Sequence, residues 1–302
     1  EGGLMSKPLL YLETREQAKI RAMELLKQTF LAFAIASLMA LRGYKRKSLT
    51  SKGAVTAWIV GFSSIMFGMR GFLLLLFYLV GTKATKYKAT LKSKFEEIDA
   101  SCRGPGQVLA CSVIGILIQT IHFVYCGKEC SIDFEDSQLA SSLACALIAH
   151  HATNLADTLS SEFGILSKSD PILITTLQRV PRGTNGGCSL TGLGCSMLGG
   201  SLIGFGAYLI DTLSGLDARP IACILFGTIL GTTGSIIDSV LGATLQVTYF
   251  DEVKKVISAN SLKRNDAKKI AGMDILSNTQ VNLVSVMMTS ALGFCIGPLF
   301  FR

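Results

Sequence analysis

Long apolar segments alternate with short polar ones along most of the chain, which is typical of membrane helices. A helix needs about 20 residues to cross the hydrocarbon core of a bilayer. Two of the apolar segments, 30–41 and 71–82, are shorter than this, so each needs flanking residues or spans only part of the bilayer. The pattern predicts an all-α, polytopic fold with about 8 transmembrane helices, roughly 6 to 8 being compatible with it. The apolar segments fall at about 30–41, 53–69, 71–82, 107–126, 139–156, 188–210, 220–241 and 282–300.

Basic residues in two polar segments predict the orientation of the first helices. Segments 42–52 and 83–103 are both rich in Lys and Arg, and such segments face the cytosol. An even number of crossings must therefore separate them, and the 53–82 stretch forms a hairpin near Arg70. Segment 83–101 has two open interpretations, an interfacial helix or a solvated basic loop that sets the topology.

The remaining polar segments continue the alternation. Segment 127–138 is acid-rich and is expected outside the cytosol, as is segment 211–219. Segments 167–187 and 250–281 carry Lys and Arg and are expected inside. Eight spans with both termini outside the cytosol are the simplest arrangement.

Composition supports a membrane protein. The chain is 49% apolar and only 17% charged, with a mean hydropathy of +0.47, whereas soluble domains are about 25% charged. The net charge of +8 fits basic cytosolic loops beside anionic lipids, and no nucleic-acid partner is expected. We predict one transmembrane domain, 30–302, after an N-terminal segment, 1–29. Membrane lipids surround it, and the expected location is an endomembrane such as the endoplasmic reticulum.

Glycine and cysteine positions add two structural expectations. The G-x-x-x-G pairs at 200–204 and 227–231 predict close helix packing, which an oligomer can also use. Cys126 and Cys130 form a C-x3-C pair without a second pair of zinc ligands. A disulfide between these two residues stays open as an alternative.

Four polar clusters interrupt the apolar segments. The predicted topology places all four at the cytosolic ends of spans or in the loop between them, so we expect them to converge. They are NLADTLSSEFG at 154–164, SKSDPILITTLQRVPRGTNGG at 167–187, GSIIDSVLGATLQ at 234–246 and LSNTQVNLVS at 276–285.

Carboxylates in these clusters predict a cation site. Asp157, Glu162 and Asp238 lie in or beside spans, where an unpaired charge costs several kcal/mol. A shared Mg²⁺, which favours oxygen ligands, explains all three; the alternative is that each pairs with a nearby Lys or Arg. Asp157 and Glu162 are about 140° apart on an ideal helix, so they reach one site only through a break in the helix or through different neighbours.

The segment VPRGTNGG at 180–187 is predicted to hold phosphate. Its glycines allow positive φ and a turn of backbone N–H groups that binds anions, and its Arg matches phosphate with a bidentate fork. The alternative is a Gly-rich connector whose Arg contacts lipid headgroups. The residues predicted to bind phosphate, including neighbouring donors and an Asn that completes the polar cavity, are Lys168, Thr175, Thr176, Arg182, Gly183, Thr184, Asn185, Gly186 and Asn282.

These stretches resemble the transmembrane protein 19 family, and particularly its animal branch. The matching segments include KRKSLTSKGAVTAWIVGF, ADTLSSEFGILSKSDPILITT, VPRGTNGGCSLTGLGCSMLGGSLIG, GSIIDSVLGATLQ and ILSNTQVNL. They span about residues 45 to 300, nearly the whole chain. A plant relative in this family is a phytyl-phosphate kinase. The resemblance implies a kinase that phosphorylates a prenyl-type lipid phosphate with a nucleoside triphosphate, either CTP or ATP.

Two other functions stay open beside the kinase. In the kinase hypothesis, the catalytic residues Asp157, Glu162 and Asp238 hold Mg²⁺ or orient the acceptor, and the lipid tail lies between spans. A transporter or channel for a small anion or lipid also uses intramembrane carboxylates and Gly-broken helices. Transport sites lie nearer the bilayer midplane, whereas these clusters are expected at one face. A structural protein does not need four polar clusters at one depth.

Overall fold

The computed structural model describes residues 15–95, 102–258 and 267–301. Helices dominate these residues, which confirms the predicted all-α fold. Their order is α1 (Arg15–Lys45), α2 (Ser51–Phe67), a 3-10 turn (Met69–Gly71), α3 (Phe72–Lys86), α4 (Ala89–Lys92), α5 (Pro105–Ala110), α6 (Val113–Cys126), α7 (Gln138–Gly164), α8 (Leu190–Leu213), α9 (Pro220–Leu245), α10 (Asn278–Ile296) and α11 (Pro298–Phe301).

Four helices of the described residues are long and apolar enough to cross a membrane: Ala22–Lys45, Leu190–Leu213, Pro220–Leu245 and Asn278–Ile296. The helix Val113–Cys126 is apolar but shorter. The total of about eight spans, with its orientation, therefore stays a prediction. The first apolar segment does gain the flanking residues it needs, because α1 continues without a break across residue 30. Residues 1–14 of the predicted N-terminal segment lie outside the described residues.

Helix α7 forms the centre of the bundle and packs against α3, α6, α8, α9 and α10. Its sequence is apolar or small on every side for most of its length, which is typical of a fully buried helix. Cys145, Ile148 and Leu155 have no exposed surface. Residues 140–156 are all buried, whereas Gln138 and Leu139 at the start of α7 are exposed and its last two turns, which carry Asp157 and Glu162, are partly exposed.

The glycines of α8 and α9 bring these helices into backbone contact. A Cβ at Gly200 would collide with the carbonyl of Gly227, and one at Gly204 with the carbonyl of Cys223. The predicted close packing is confirmed, and it is made within the chain. These faces are not available to a second copy, so the predicted oligomer must use another surface.

Gly204→Leu is expected to lower the melting temperature of the purified protein. The new side chain must push α8 from α9, and overpacking of this kind costs about 1–3 kcal/mol or more. Gly194→Leu is the matched control, because it lies on the same helix with open space around its Cβ position. Equal melting temperatures for the two variants would contradict the packing described.

The helices converge at what we term the polar end of the bundle, where α7 ends at Gly164, α9 ends at Leu245, and α8 and α10 begin. The position of a Cβ on Gly164 lies 3.5 Å from Ser189 Oγ, just before α8. The backbone N–H of Leu276, just before α10, donates to the carbonyl of Leu245. The four polar clusters are therefore brought together, as predicted.

Two small sheets cover the polar end. Strands β1 (Ile172–Leu173) and β2 (Gly187–Cys188) pair antiparallel. Strands β3 (Thr248–Asp251), β4 (Val256–Ser258) and β5 (Ala267–Ala271) form an antiparallel sheet in the order β4-β3-β5. The segment 250–281, expected to be a basic loop, therefore carries a sheet, whose Thr, Tyr, Phe, Val and Ile favour strands. Residues 259–266 within it lie outside the described residues.

The segment predicted as an interfacial helix, 83–101, is not one helix. Helix α3 ends at Lys86, Lys88 adopts a left-handed conformation with φ 48°, and the short α4 follows. The segment is not a plain solvated loop either, because Lys92 is buried. Residues 96–101 lie outside the described residues.

The predicted hairpin near Arg70 is confirmed, since α2 ends at Phe67 and α3 begins at Phe72 after a 3-10 turn. Arg70 itself does not lie in a solvated turn. It is buried and bonded to Asp211 at the end of α8. Cys126 and Cys130, near the same end of the bundle, are free thiols in the structure, so the disulfide alternative is not realised.

Candidate functional site

Asp157 of α7 and Asp238 of α9 form an acidic pair between the two helices. The hydroxyl of Ser235 donates to Asp157 Oδ1 at 3.4 Å. Ser235 precedes Asp238 by three residues, so both project from one face of α9. The two carboxylates lie close enough to repel each other. As whole residues, Asp157 and Asp238 are partly exposed.

Helix α10 completes this pair from its first turns. The hydroxyl of Ser285 donates to Asp238 Oδ2 at 2.9 Å. The amide nitrogen of Asn282, in the orientation that satisfies its neighbours, donates to the same oxygen at 3.2 Å. Asn282 was predicted among the phosphate-binding residues, but the structure places it against the carboxylate. Three helices thus hold Asp238 and Asp157 in fixed positions.

The acidic pair has no Lys or Arg partner within salt-bridge distance among the described residues. Two neighbouring carboxylates in an apolar bundle are costly without positive charge. Mg²⁺ is commonly held by one or two protein carboxylates together with phosphate oxygens of a substrate. Asp157 and Asp238 fit this pattern, with hydroxyl and amide donors that orient them.

Glu162 does not join the pair, so the predicted cluster of three carboxylates is wrong. Its carboxylate binds the ammonium of Lys92 at 2.5 Å. No group of three or more His, Cys, Asp or Glu that could hold a metal is found in the described parts of the chain. The reason is helical geometry: α7 is unbroken from Asp157 to Glu162, so the two side chains point about 140° apart.

The Lys92–Glu162 contact is expected to stabilise the protein without taking part in a reaction. The Lys92 ammonium also donates to the carbonyl of Ala84 at 2.8 Å, and its side chain is only 6% exposed. Glu162→Gln leaves this ammonium without its counter-ion, whereas Glu162→Gln with Lys92→Met removes both charges. We expect thermal denaturation to show a coupling of about 1–3 kcal/mol between the two changes. Strictly additive effects would contradict the pairing.

The glycine-rich loop 182–187 lies against the end of α9. Gly183 and Gly186 have φ of 88° and 74°, so the predicted positive φ is confirmed at both, whereas Gly187, the third glycine of the prediction, does not adopt it. A Cβ at Gly186 would collide with the carbonyl of Ser239 and with Ala243. Only glycine permits this approach, so Gly186 allows the loop to pack directly against the backbone of α9.

The loop and the acidic pair are close neighbours along α9. Gly242 stands four residues after Asp238 on the same side of α9, and a Cβ at Gly242 would lie 3.4 Å from the backbone nitrogen of Gly186. The loop is anchored on the other side by β3, because the backbone N–H of Asn185 donates to Thr248 Oγ1 at 3.2 Å. A phosphate chain bound at the loop would therefore reach the carboxylates of Asp157 and Asp238.

Two of the loop's polar side chains, besides Arg182, have partners within the protein. Thr184 Oγ1 donates to the carbonyl of Pro181 at 2.6 Å, and Asn185 Nδ2 donates to that of Val247 at 3.2 Å. Both were predicted as donors for phosphate, but their side chains hold the loop in shape. The backbone N–H groups of Thr184, Asn185 and Gly187 also donate within the protein. Among the described residues of the loop, the N–H groups left for an anion are those of Arg182, Gly183 and Gly186.

Arg182 is positioned by its neighbours. Its Nη2 donates to the carbonyl of Lys168 at 2.8 Å, and its Nε lies 3.4 Å from Asp170 Oδ1. Its guanidinium lies over the ring of Phe95, 5.0 Å from the centroid. The weak contact with a largely exposed Asp170 is one that a phosphate can replace.

Three of the residues predicted to bind phosphate precede the glycine-rich loop and are exposed: Lys168, Thr175 and Thr176. Thr176 Oγ1 accepts a hydrogen bond from the backbone N–H of Gln178 at 3.4 Å. The structure gives none of these three side chains a contact with the acidic pair, and their predicted role stays a prediction.

Ser235 and Ser285 were not predicted as site residues. The signal was available in helical spacing, since Ser235 stands three residues before Asp238 and Ser285 three residues after Asn282. Residues three apart share a helix face. Lys92 and Arg103 were counted only as basic loop residues.

Comparison with protein families identifies the chain at this point. The family model described as "Integral membrane protein DUF92" matches residues 34–290. The chain belongs to the DUF92 family. This membership confirms the predicted location in a membrane, and the matched region contains the acidic pair, the glycine-rich loop and the first two thirds of α10.

Individual DUF92 relatives match most of the chain. It is 36% identical over 274 residues to Protein PGR of Arabidopsis thaliana, covering 86% of this chain and 93% of the relative. It is 29% identical over 280 residues to Uncharacterized membrane protein MJ0933 of Methanocaldococcus jannaschii, covering 92% of this chain and 98% of the relative. Protein VTE6, chloroplastic, of Arabidopsis thaliana is 29% identical over 222 residues, covering 72% of this chain and 60% of the relative. No solved structure matches the chain.

Proposed function

We propose that this protein is a nucleotide-dependent kinase of a prenyl-type lipid phosphate, and that it belongs to the transmembrane protein 19 branch of its family. The observation that carries the proposal is the acidic pair, Asp157 and Asp238, which has no cationic partner in the described structure and lies beside the glycine-rich loop at one end of a membrane bundle. The polar end faces the cytosol, where CTP or ATP is available. The membrane is an endomembrane such as the endoplasmic reticulum.

The reaction transfers a phosphoryl group between two phosphates. An oxygen of the lipid phosphate forms a bond to the γ-phosphorus of the nucleoside triphosphate. The bond from that phosphorus to the β–γ bridging oxygen breaks, and the nucleoside diphosphate leaves with the electron pair. A phosphate monoester is already largely ionised at neutral pH because its second pKa is about 6. No residue must therefore remove a proton, and a site that positions and neutralises charge is sufficient.

The acidic pair and its donors perform the positioning. Mg²⁺, when bound, neutralises charge on the phosphates of the nucleotide. Asp157 and Asp238 would hold it, and Ser235, Ser285 and Asn282 keep the two carboxylates oriented. Because these carboxylates and their donors are already in place, the site need not reorganise as charge develops during phosphoryl transfer.

The glycine-rich loop binds the nucleotide phosphates in this proposal. Gly183 and Gly186 give the turn its concave backbone, and Arg182 turns from Asp170 to the phosphate. Lys168, Thr175 and Thr176 extend the same loop and assist. Glu162, which pairs with Lys92, has no catalytic role.

The relationship to Protein VTE6, together with the resemblance to a phytyl-phosphate kinase, supports the choice of an isoprenoid phosphate. The position of the acidic pair at one end of the helices also favours an enzyme over a transporter, whose sites lie nearer the bilayer midplane.

The proposal is tested by incubating the purified protein in detergent with Mg²⁺, CTP or ATP, and farnesyl or phytyl phosphate. Formation of the lipid diphosphate with stoichiometric nucleoside diphosphate is the expected result. Chelation of Mg²⁺ should stop it. Flux of an anion or lipid across sealed vesicles, without turnover of either nucleotide, would instead indicate a transporter and refute the kinase.

A further inference from the structure

An apolar cavity lies among α1, α2, α3 and α5. Its enclosed volume is about 100 Å³, and the cavity is open on one side. Its walls are mainly aliphatic, with Met39, Val60, Leu74 and Val108 among them. Nothing in the sequence pattern predicted it.

Arg103 is the one charged residue among those that line the cavity. Its Nη2 donates to Thr85 Oγ1 at 3.3 Å, and no carboxylate lies within salt-bridge distance in the described residues. A guanidinium has five N–H donors, so most remain for a ligand. Its backbone is fixed, because the N–H of Arg103 donates to Ser48 and its carbonyl accepts from Thr50.

The cavity adjoins the acidic pair through Cys111. Cys111 lines the cavity. Its carbonyl accepts a hydrogen bond at 3.3 Å from Asn154, which stands one helical turn before Asp157. The wall of the cavity is therefore bonded to the helix that carries Asp157.

We propose that this cavity is part of the acceptor site, with Arg103 binding the monophosphate of a single-tailed lipid and the apolar walls contacting its tail. This inference rests on the proposed function for its reaction, but the binding it describes needs neither nucleotide nor turnover. Arg–phosphate contacts are bidentate and strong, and an apolar tail gains free energy in proportion to the surface it buries.

The small size of the cavity favours one tail over two. Its apolar lining includes Leu49, before α2, and Gly71, after it. An enclosed volume of about 100 Å³ holds part of one isoprenoid chain, and the open side leaves room for the rest of it.

Binding of radiolabelled geranylgeranyl monophosphate to the purified protein, without nucleotide or Mg²⁺, tests the inference. Arg103→Gln is expected to weaken binding at least about 10-fold, since it removes a charge-assisted bidentate contact. Arg103→Lys should lose less, because it keeps the charge without the fork. Unlabelled geranylgeranyl monophosphate should displace the probe, and inorganic phosphate or dioleoyl phosphatidic acid should not. Displacement by either of those two would overturn the single-tailed lipid as ligand.

The tail site is tested separately on α2. Ala57 lines the cavity, and Ala57→Phe is expected to weaken binding at least about 10-fold by filling it. Ile59→Phe is the matched control, since Ile59 is 53% exposed on the same helix and does not line the cavity. Native affinity in both Arg103→Gln and Ala57→Phe would overturn the inference. The melting temperature of each variant shows whether it is folded, and the inference is judged on the binding affinities of the folded variants.

The two proposals fail in distinguishable ways. If the native protein binds the lipid phosphate through Arg103 but forms no diphosphate with any nucleotide, the acceptor site stands and the kinase falls. If diphosphate forms at the native rate in Arg103→Gln and Ala57→Phe at low lipid concentration, the kinase stands and this acceptor site falls.

Discussion

Asp157→Asn is expected to reduce formation of the lipid diphosphate at least about 100-fold, which is the scale of losing one group that stabilises developing charge. The change keeps the shape of the side chain and removes the charge that would hold Mg²⁺. Asp238→Asn should have the same effect. The double variant should be little worse than either single one, because groups that act as a unit are strongly non-additive. Initial rates at saturating nucleotide provide the measurement.

Asp274→Asn is the control for this experiment. Asp274 lies just before α10 at the same end of the bundle, but it is exposed. The variant should therefore retain the native rate. Ser235→Ala should be intermediate, since it removes one hydrogen bond to Asp157 and leaves both carboxylates in place. Native rates in Asp157→Asn and Asp238→Asn would remove the acidic pair from the mechanism.

The parts of the site that were predictable depend on local geometry. Gly183 and Gly186 were predicted to adopt positive φ from their positions in a Gly-rich turn, and both do. Asp157 and Asp238 were predicted to converge because alternating spans return their polar ends to one face. The angle between Asp157 and Glu162 on an ideal helix already argued against a single cluster, and the unbroken α7 obeys that angle.

The parts that were missed depend on contacts between distant residues. Lys92 is one of several lysines in its segment, and the surrounding sequence does not distinguish it from the lysines that are solvated. Its burial follows from Glu162, 70 residues away. Arg103 likewise gains its setting from α1, α2 and α3, which enclose the cavity beside it. Patterns with a period of two or 3.6 residues carry no information about such pairings.

A buried ion pair fixes the opposite end of the bundle. Arg70, in the turn between α2 and α3, donates from Nε and Nη2 to the two carboxylate oxygens of Asp211 at 2.8 and 2.9 Å. Nη2 also donates to the carbonyl of Cys130 at 2.8 Å. The carboxylate of Glu129 accepts from the backbone N–H of Met69 at 2.7 Å. Three parts of the chain, the α2–α3 turn, the loop after α6 and the end of α8, are joined at Arg70.

Asp211→Asn is expected to destabilise the protein by about 3–5 kcal/mol, because it leaves the charge of Arg70 buried without its partner. The side chains of the pair are only 1% and 2% exposed, so water does not compensate. Thermal denaturation of the purified protein should show a large fall in melting temperature, with a lower yield of folded material. Arg70→Met combined with Asp211→Leu should recover much of the loss, since it removes both charges and keeps apolar volume.

The exposed pair Lys128–Glu24 provides the control, with side chains 83% and 56% exposed. Glu24→Gln should leave the melting temperature unchanged, because solvent screens an exposed ion pair. If Asp211→Asn melts like Glu24→Gln, the buried contact does not hold this end of the bundle together. If the double replacement at Arg70 and Asp211 is no better than Asp211→Asn alone, the loss arises from something other than an uncompensated charge.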